Sequence, residues 1–482
     1  MNHSANEQYN QSSKQMSDEL LALSPLDGRY IAETESLRDY FSEFALIRDR
    51  VLIEVKYLTA LSSDAHLIRD LTHDEIEFLD RLCDPRAFTL EDARQVKELE
   101  QITRHDVKAI ENFLRAKLAP TTLSDLLEFL HFGLTSEDVS NIAVAFALRN
   151  SREHVIRPAL NKILDELASL IQAHASTPML ARTHGQAAVP TTFGKEIAVF
   201  HSRLKNQYKV LSSHRFEAKL TGAVGNFNAL VSAAPAVDWV MFSKKFIQDL
   251  GLEPNLLTTQ ILPYDNWVEY FNTLHLVNST LIDFAQDMWR YISDDYLKLK
   301  VVASEVGSST MPQKVNPIDF ENAEGNLGIA NALFGQYARK LPVSRLQRDL
   351  SDSTVRRTFG VALGHSLVAY QSLARALGRI DVNTSLMKSD LEAHWEVIAE
   401  GAQSILRAAG VSEAYDRLKS LTRGKGITKE TFTQWVDGLS VDASTRERLR
   451  ALSPLSYLGL AEELAEKALK NIPNTKDTKV TK

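Results

Sequence analysis

Apolar residues recur every three or four positions over long stretches of this chain. Leu160, Ile163, Leu164, Leu167, Leu170 and Ile171 form one stripe, and Leu281, Phe284, Ala285, Met288, Ile292, Tyr296 and Leu299 form another. Residues so spaced lie on one face of a helix, and that face must be covered. Period-2 alternation of Val, Ile and Thr is nearly absent. With 20 glycines and 14 prolines among 482 residues, few turns punctuate the pattern. Long helices with few breaks predict an all-α bundle and not an α/β fold. A wide stripe on a very long helix needs neighbours on several sides, so an oligomer with a shared bundle core is expected.

The length exceeds what one hydrophobic core usually supports, so two or three domains are expected. The expected order is a polar tail (1–18), an N-terminal helical domain (19–124), a central domain of long helices (125–375), a C-terminal helical domain (376–470) and a second tail (471–482). Both tails read as disordered, and the first lacks the apolar core of a signal peptide. A net charge of −7 gives no reason to expect a nucleic-acid or membrane partner. It leaves room for an anionic substrate in a local basic pocket. The single cysteine, Cys83, rules out an intrachain disulfide and any multi-cysteine metal site. It reads as a half-buried structural thiol in a reducing compartment, with the cytoplasm as the expected location.

Polar clusters interrupt the helical pattern: SPLDGRY (24–30), TRHDVK (103–108), HFGLTSEDVSN (131–141), RTHGQAAVPTTFGKE (182–196), TGAVGNFNA (221–229), TTQILPYD (258–265), GSSTMPQKVNPIDFENAEGN (307–326) and SRLQRDLSDSTVRR (344–357). Each has a local explanation. Thr135 and Asp138 have capping-box spacing, Asn316-Pro317 reads as an N-cap with proline at the first helical position, and Arg348 and Asp352 can pair across one helical turn. Together the clusters mix hydroxyls, amides and cations too often for capping alone. Arg29, Arg104, Lys314, Arg348, Arg356 and Arg357 can neutralise a ligand with several negative charges. Thr135, Ser136, Gln260, Asn316 and Ser353 can orient it. Guanidinium forks suit carboxylates and phosphate.

The chain has no Gly-rich dinucleotide or P-loop signature, no nucleophile elbow and no His-Glu-x-x-His zinc motif. No cofactor and no metal are called for. What remains is proton transfer by side chains with stabilisation of an anionic intermediate.

GSSTMPQKVNP resembles the signature G-S-S-x-M-P-x-K-x-N-P of the fumarase/aspartase superfamily at eight fixed positions in eleven. DGRY, RHD, HFGLTSED, RTHGQ, TTQ, DFENAEGNLG and QRDLSDSTVRR are similar to its adenylosuccinate lyase branch, in the bacterial purine-biosynthetic form. The resemblance runs over roughly 20 to 468. It implies three all-α domains, a homotetramer whose long helices form its core, and active sites built from three subunits. It implies β-elimination of fumarate from two nucleotide substrates, adenylosuccinate and succinylaminoimidazole-carboxamide ribotide.

Carried over by motif, Ser308 is the base and His184 the general acid, with Lys314 and Asn316 stabilising the developing charge. Ser309 is the neighbouring alternative to Ser308. Thr135 and Ser136 are expected on a substrate carboxylate. Arg29, Tyr30, Ser353 and Arg357 are expected on the phosphate, with Thr354, Val355 and Arg356 completing that run. Arg104, His105, Asp106, Gln260, Asn322 and Arg348 are expected around the ligand. The 307–316 segment would be a lid that closes over substrate. Two positions depart from the branch: Gln313 stands where histidine is common, and Ala187 where proline usually follows THGQ. MPQK is closer to the argininosuccinate lyase branch. Other readings are therefore another fumarate-releasing lyase, or a non-catalytic structural relative, against which the intact Ser308, His184, Lys314 and Asn316 stand.

Overall fold

The computed structural model describes residues 20–300, 311, 314–412 and 427–470. The catalytic-base candidates Ser308 and Ser309, the position Gln313, and both tails lie outside them. Among the described residues helix dominates, and strand is confined to three two-stranded ladders, so the fold is all-α. No described helix is long and apolar enough to cross a membrane.

The long helices are Glu43–Ser63, Ser136–Ser151, Arg157–His174, Phe193–Ser213, Asp265–Ser293, Ile318–Lys340 and Phe359–Arg379. The first stripe behaves as its spacing predicts: Leu160, Ile163, Leu167 and Ile171 are buried, while Leu164 and Leu170 flank them half-buried. Helix 136–151 passes into 157–174 through a π turn at Arg152–Ile156, just before Pro158. Proline has no N–H to give the preceding turn, and a π turn absorbs that lost bond.

The second stripe is cut short. Leu281, Phe284, Ala285 and Met288 are buried on helix 265–293, but the helix stops at Ser293. Asp295 turns the chain at φ +59, a conformation aspartate tolerates better than most residues. Leu297–Leu299 then pairs antiparallel with Ile380–Val382. Tyr296 thus lies in the bend before a strand and Leu299 within it, so their spacing is not that of a helix face. The helix predicted to begin at Pro317 begins at Ile318, its first bond running from the Glu321 N–H to the Pro317 carbonyl at 3.3 Å.

Contacts divide the chain into two compact units. The first comprises Met1–Leu160, Gln207–Ser279 and Gly325–Gln371. Its centre is helix 43–63, whose Val51, Val55, Tyr57, Leu58 and Leu61 are essentially inaccessible to solvent. Ser42 starts this helix by accepting from the Ala45 N–H at 3.1 Å. Thr72 with Glu75 and Thr89 with Asp92 form the capping boxes of the next two helices. Cys83 is buried at the end of helix 73–83, and burial pushes its thiol pKa up, as expected of a structural cysteine.

The second unit comprises Asn161–Asn206, Thr280–Glu324 and Ser372–Lys482. Its end is a cluster of short helices packed on Leu391, Ile398, Leu406, Phe432, Val436 and Leu449. An antiparallel hairpin, Pro178–Thr183 with Gln186–Thr192, is anchored there through Leu180, and Ala187 packs against the same cluster.

Candidate active site

In the first unit, helix 136–151 begins at the TSED segment, and everything polar near it converges on Glu137 and Asp138, which are 1% and 0% exposed. The expected cap is present: the Asp138 carboxylate accepts from the Thr135 N–H at 2.9 Å. The same carboxylate accepts from the backbone N–H groups of Thr221 (3.0 Å) and Gly222 (3.1 Å), and pairs with Lys219 Nζ at 3.1 Å. Lys219 is itself fully buried. It donates to the carbonyls of Gly222 (3.0 Å) and Gln260 (2.8 Å). Asn141 accepts from the Lys219 N–H and donates back to its carbonyl. The Gly-rich turn is thereby tied to the helix start and to the TTQ segment. Gly225 has φ +88, and a Cβ there would lie 2.0 Å from the Thr258 carbonyl, so only glycine fits.

Glu137 faces the basic cluster. Arg356 grips it with two N–H donors at 2.9 Å each, and Arg348 Nη2 lies 3.3 Å away. Tyr264 divides its hydroxyl proton between Glu137 (3.0 Å) and Asp352 (2.8 Å). The turn-spaced pair expected between Arg348 and Asp352 gives way to Asp352 with Arg356 at 3.1 Å. Arg348 instead donates to Gln260 Oε1 at 3.2 Å. The Arg356 side chain, 7% exposed, is paired with two carboxylates, those of Glu137 and Asp352. Arg357 is exposed and donates to Ser353 Oγ at 2.9 Å. Thr354 is exposed beside them, and the Val355 carbonyl accepts from Thr358.

Arg104 closes helix 90–103 in the left-handed conformation, at φ +53. His105 then caps helix 106–118, its Nδ1 accepting from the Lys108 N–H at 3.2 Å. A neutral His105 therefore carries its proton on Nε2 and offers a donor there. Asp106 pairs with Arg50 at 2.9 Å, and Arg50 also donates to Ser140. His131 Nδ1 lies 2.6 Å from the buried Glu54. Burial disfavours its charge, but the Glu54 carboxylate outweighs that and raises the pKa.

A cavity of about 180 Å³ is lined by Asp49, Arg50, Ser140, Ser353, Arg356 and Arg357 among others. A second, of about 420 Å³, has Arg357 on one side and Ser24, Leu26 and Asp27 of the SPLDGRY turn on the other. Arg29 is exposed and Tyr30 half-buried at the end of that turn, where Tyr30 begins helix 31–41.

Burial pushes the Asp49 carboxyl up to about 6, although Arg48 lies 2.9 Å away. A carboxyl whose folded pKa is raised contributes stability that is complete below its unfolded pKa of 3.8 and is lost as pH rises through about 6. Asp49→Asn is therefore expected to stabilise the protein at pH 7 relative to pH 4, by at most about 3 kcal/mol for two pH units. Melting curves of both proteins at the two pH values check this; a pH-independent difference contradicts it.

The second unit holds the remaining candidates. His184 and Gly185 form the two-residue tip of the hairpin, at φ +53 and +72, between the paired Thr183 and Gln186. Positive φ at both positions marks a tight hairpin turn matched to strand twist. His184 is exposed there. The hairpin is braced by an ion pair between Arg182 and Asp390 at 3.3 Å. Lys314 is exposed, its N–H donating to the Met311 carbonyl, and Asn316 is half-buried ahead of helix 318–340. Asn322 accepts from Ser372, which also accepts from Arg375.

Thr135, Gln260 and Arg348 thus belong to one bonded neighbourhood of the first unit, while Ser353 and Arg357 bond to each other and line one cavity there. Residues missed from sequence are Lys219, Glu137 and Tyr264. The only signal for Lys219 was its place beside TGAVGN.

Buried acidic anchors and several guanidinium forks around a helix start make a neighbourhood suited to an anionic ligand. A family profile described as Lyase matches residues 28–333, and one described as adenylosuccinate lyase C-terminal matches 344–458. The adenylosuccinate lyase of Vibrio cholerae is 44% identical over 93% of this chain and 99% of its own. That of Escherichia coli K12 is 43% identical over 92% and 97%. Among solved structures, the 3-carboxy-cis,cis-muconate lactonizing enzyme from Pseudomonas putida superposes with TM-score 0.72 at 20% identity, over 90% of this chain and 96% of that one. A fumarate lyase from Mesorhizobium sp. BNC1 does so with the same score and identity, over 91% and 98%. These two share the fold. The chain belongs to the adenylosuccinate lyase family.

Proposed function

We propose that this chain catalyses β-elimination of fumarate from adenylosuccinate, giving AMP, and from succinylaminoimidazole-carboxamide ribotide, giving aminoimidazole-carboxamide ribotide. The observation that carries the reading is the neighbourhood around Glu137 and Asp138, within a chain related to adenylosuccinate lyases over nearly its whole length. Both substrates bear two carboxylates and a phosphate. Thr135 and Ser136, at a helix N-terminus, suit a carboxylate. Arg357 with Ser353, across a pocket from the SPLDGRY turn that ends in Arg29 and Tyr30, suits the phosphate.

In the mechanism, Ser308 removes the proton next to a carboxylate, His184 protonates the departing nitrogen, and Lys314 and Asn316 stabilise the dianionic intermediate. Ser308 needs a lowered pKa, which the Lys314 cation and neighbouring backbone N–H groups are the kinds of group to supply. Arg104, His105, Asp106 and Asn322 complete the ligand surroundings.

The protein acts as a homotetramer with sites shared between subunits. Leu276, Trp289, Ile329 and Val210 stay solvent-exposed on four-turn and longer helices, as faces awaiting other copies would. The division at about 124 and 375 is that of the three family domains. A single cysteine in 482 residues fits a cytoplasmic location.

The purified protein is expected to turn over both purine substrates, followed by ultraviolet absorbance, and to leave argininosuccinate untouched. Turnover of argininosuccinate alone, or of no fumarate-releasing substrate, sinks the reading.

A further inference from the structure

Glu137 has no place in the mechanism above, yet it is one of the most enclosed charges in the first unit. Its carboxylate accepts two guanidinium N–H bonds from Arg356 and a share of the Tyr264 proton, and it forms an ion pair with Arg348 Nη2 at 3.3 Å. A carboxylate has about four acceptor sites; an amide oxygen has two. Only an ionised acid holds both arginines here. Arg348 spends Nη2 on Glu137 and Nη1 on Gln260 Oε1. Its Nε is buried without a partner, so these two contacts fix its fork.

Arginine can only donate. Gln260 must therefore turn its carbonyl oxygen toward Arg348 and its NH₂ group away from it. The Gln260 backbone is held as well: its N–H donates to the Gln347 carbonyl at 3.3 Å, and its carbonyl accepts from Lys219.

We propose that Glu137 is a positioning residue that acts through Arg348 to fix the polarity of the Gln260 amide, so that Gln260 meets the substrate as a hydrogen-bond donor to a carboxylate. This rests on the reading of Gln260 as a substrate-binding residue. Without the Glu137 charge, Arg356 retains Asp352 as a partner, whereas Arg348 loses the one carboxylate it pairs with among the described residues. The amide is then free to invert and offer the substrate an oxygen.

The experiment compares Glu137→Gln, Arg348→Met, their double variant and Gln260→Glu by steady-state kinetics on adenylosuccinate. Glu137→Gln and Arg348→Met each raise KM about tenfold, the scale of one charge-assisted hydrogen bond, with a smaller effect on kcat. The double variant stays within about twofold of Arg348→Met, because Glu137 works through that residue. Losses that multiply in the double variant give Glu137 a merely structural role and overturn the proposal. Gln260→Glu keeps a partner for Arg348 but presents no donor, so its KM rises at least about tenfold; an unchanged KM also overturns it. That variant carries the test where Glu137→Gln does not fold. A wild type without turnover sinks the functional reading alone. The relay is then read from the Glu137→Gln crystal structure: Arg348 withdrawn from Gln260 Oε1 supports it, and an unmoved Arg348 overturns it.

Discussion

An enzyme carrying His184→Asn is expected to lose at least about 10²-fold in kcat on adenylosuccinate, the usual scale for a positioned acid. Asparagine is the informative replacement because position 184 has φ +53 and asparagine tolerates that region. The turn, its Thr183–Gln186 pairing and the Leu180 anchor are kept, while the group that protonates the leaving nitrogen is removed. KM should change little, since the imidazole is needed in the transition state more than in binding. The pH–rate profile should lose one limb. Near-normal kcat in a folded His184→Asn enzyme takes His184 out of the acid role. Ser308→Ala should lose turnover on the same scale, and near-normal turnover would remove it as the base.

The largest stability effect is expected at Lys219→Met. Lys219 and Asp138 are both 0% exposed, and their charges lie 3.1 Å apart. Removing one partner leaves the other buried and uncompensated, which costs about 3–5 kcal/mol. The lysine also holds the Gly222 and Gln260 carbonyls, so the Gly-rich turn and the TTQ segment loosen together. The variant should melt well below the wild type, and Lys219→Met with Asp138→Asn should recover part of the loss by removing the stranded charge. A single variant that melts like the wild type contradicts this account. Activity is expected to fall with stability, because the segment that loosens carries Gln260.

Helices were readable because burial on a helix leaves a periodic trace. The 160–171 stripe and the Thr135–Asp138 cap needed only local spacing. The 178–192 hairpin was harder, since its strands lack clean alternation; Met179 and Leu180 are both buried although they are neighbours. His184-Gly185, with glycine second in a tight turn, was the available sign. The strand at Leu297–Leu299 was concealed because Tyr296 and Leu299 also satisfy helical spacing. Ion pairs between distant segments left no local trace at all. Nothing beside Lys219 in the sequence points to Asp138, and Glu137 is 219 positions from Arg356. The sequence-based reading of Arg356 as a ligand for the substrate came from counting cations, and spacing gave no sign of its pairing with Glu137.

Glu137 and Asp138 differ by one methylene, and the neighbourhood uses that difference as a measure of length. The shorter acid folds back on its own helix start and reaches Thr135, Thr221 and Gly222. The longer one crosses to Arg356 and Arg348. Exchanging the two adjacent codons would leave composition, charge and hydropathy untouched. No measure that counts residues would register the change, yet each acid would then have the wrong reach for its partners. The order of two letters carries what their sum cannot.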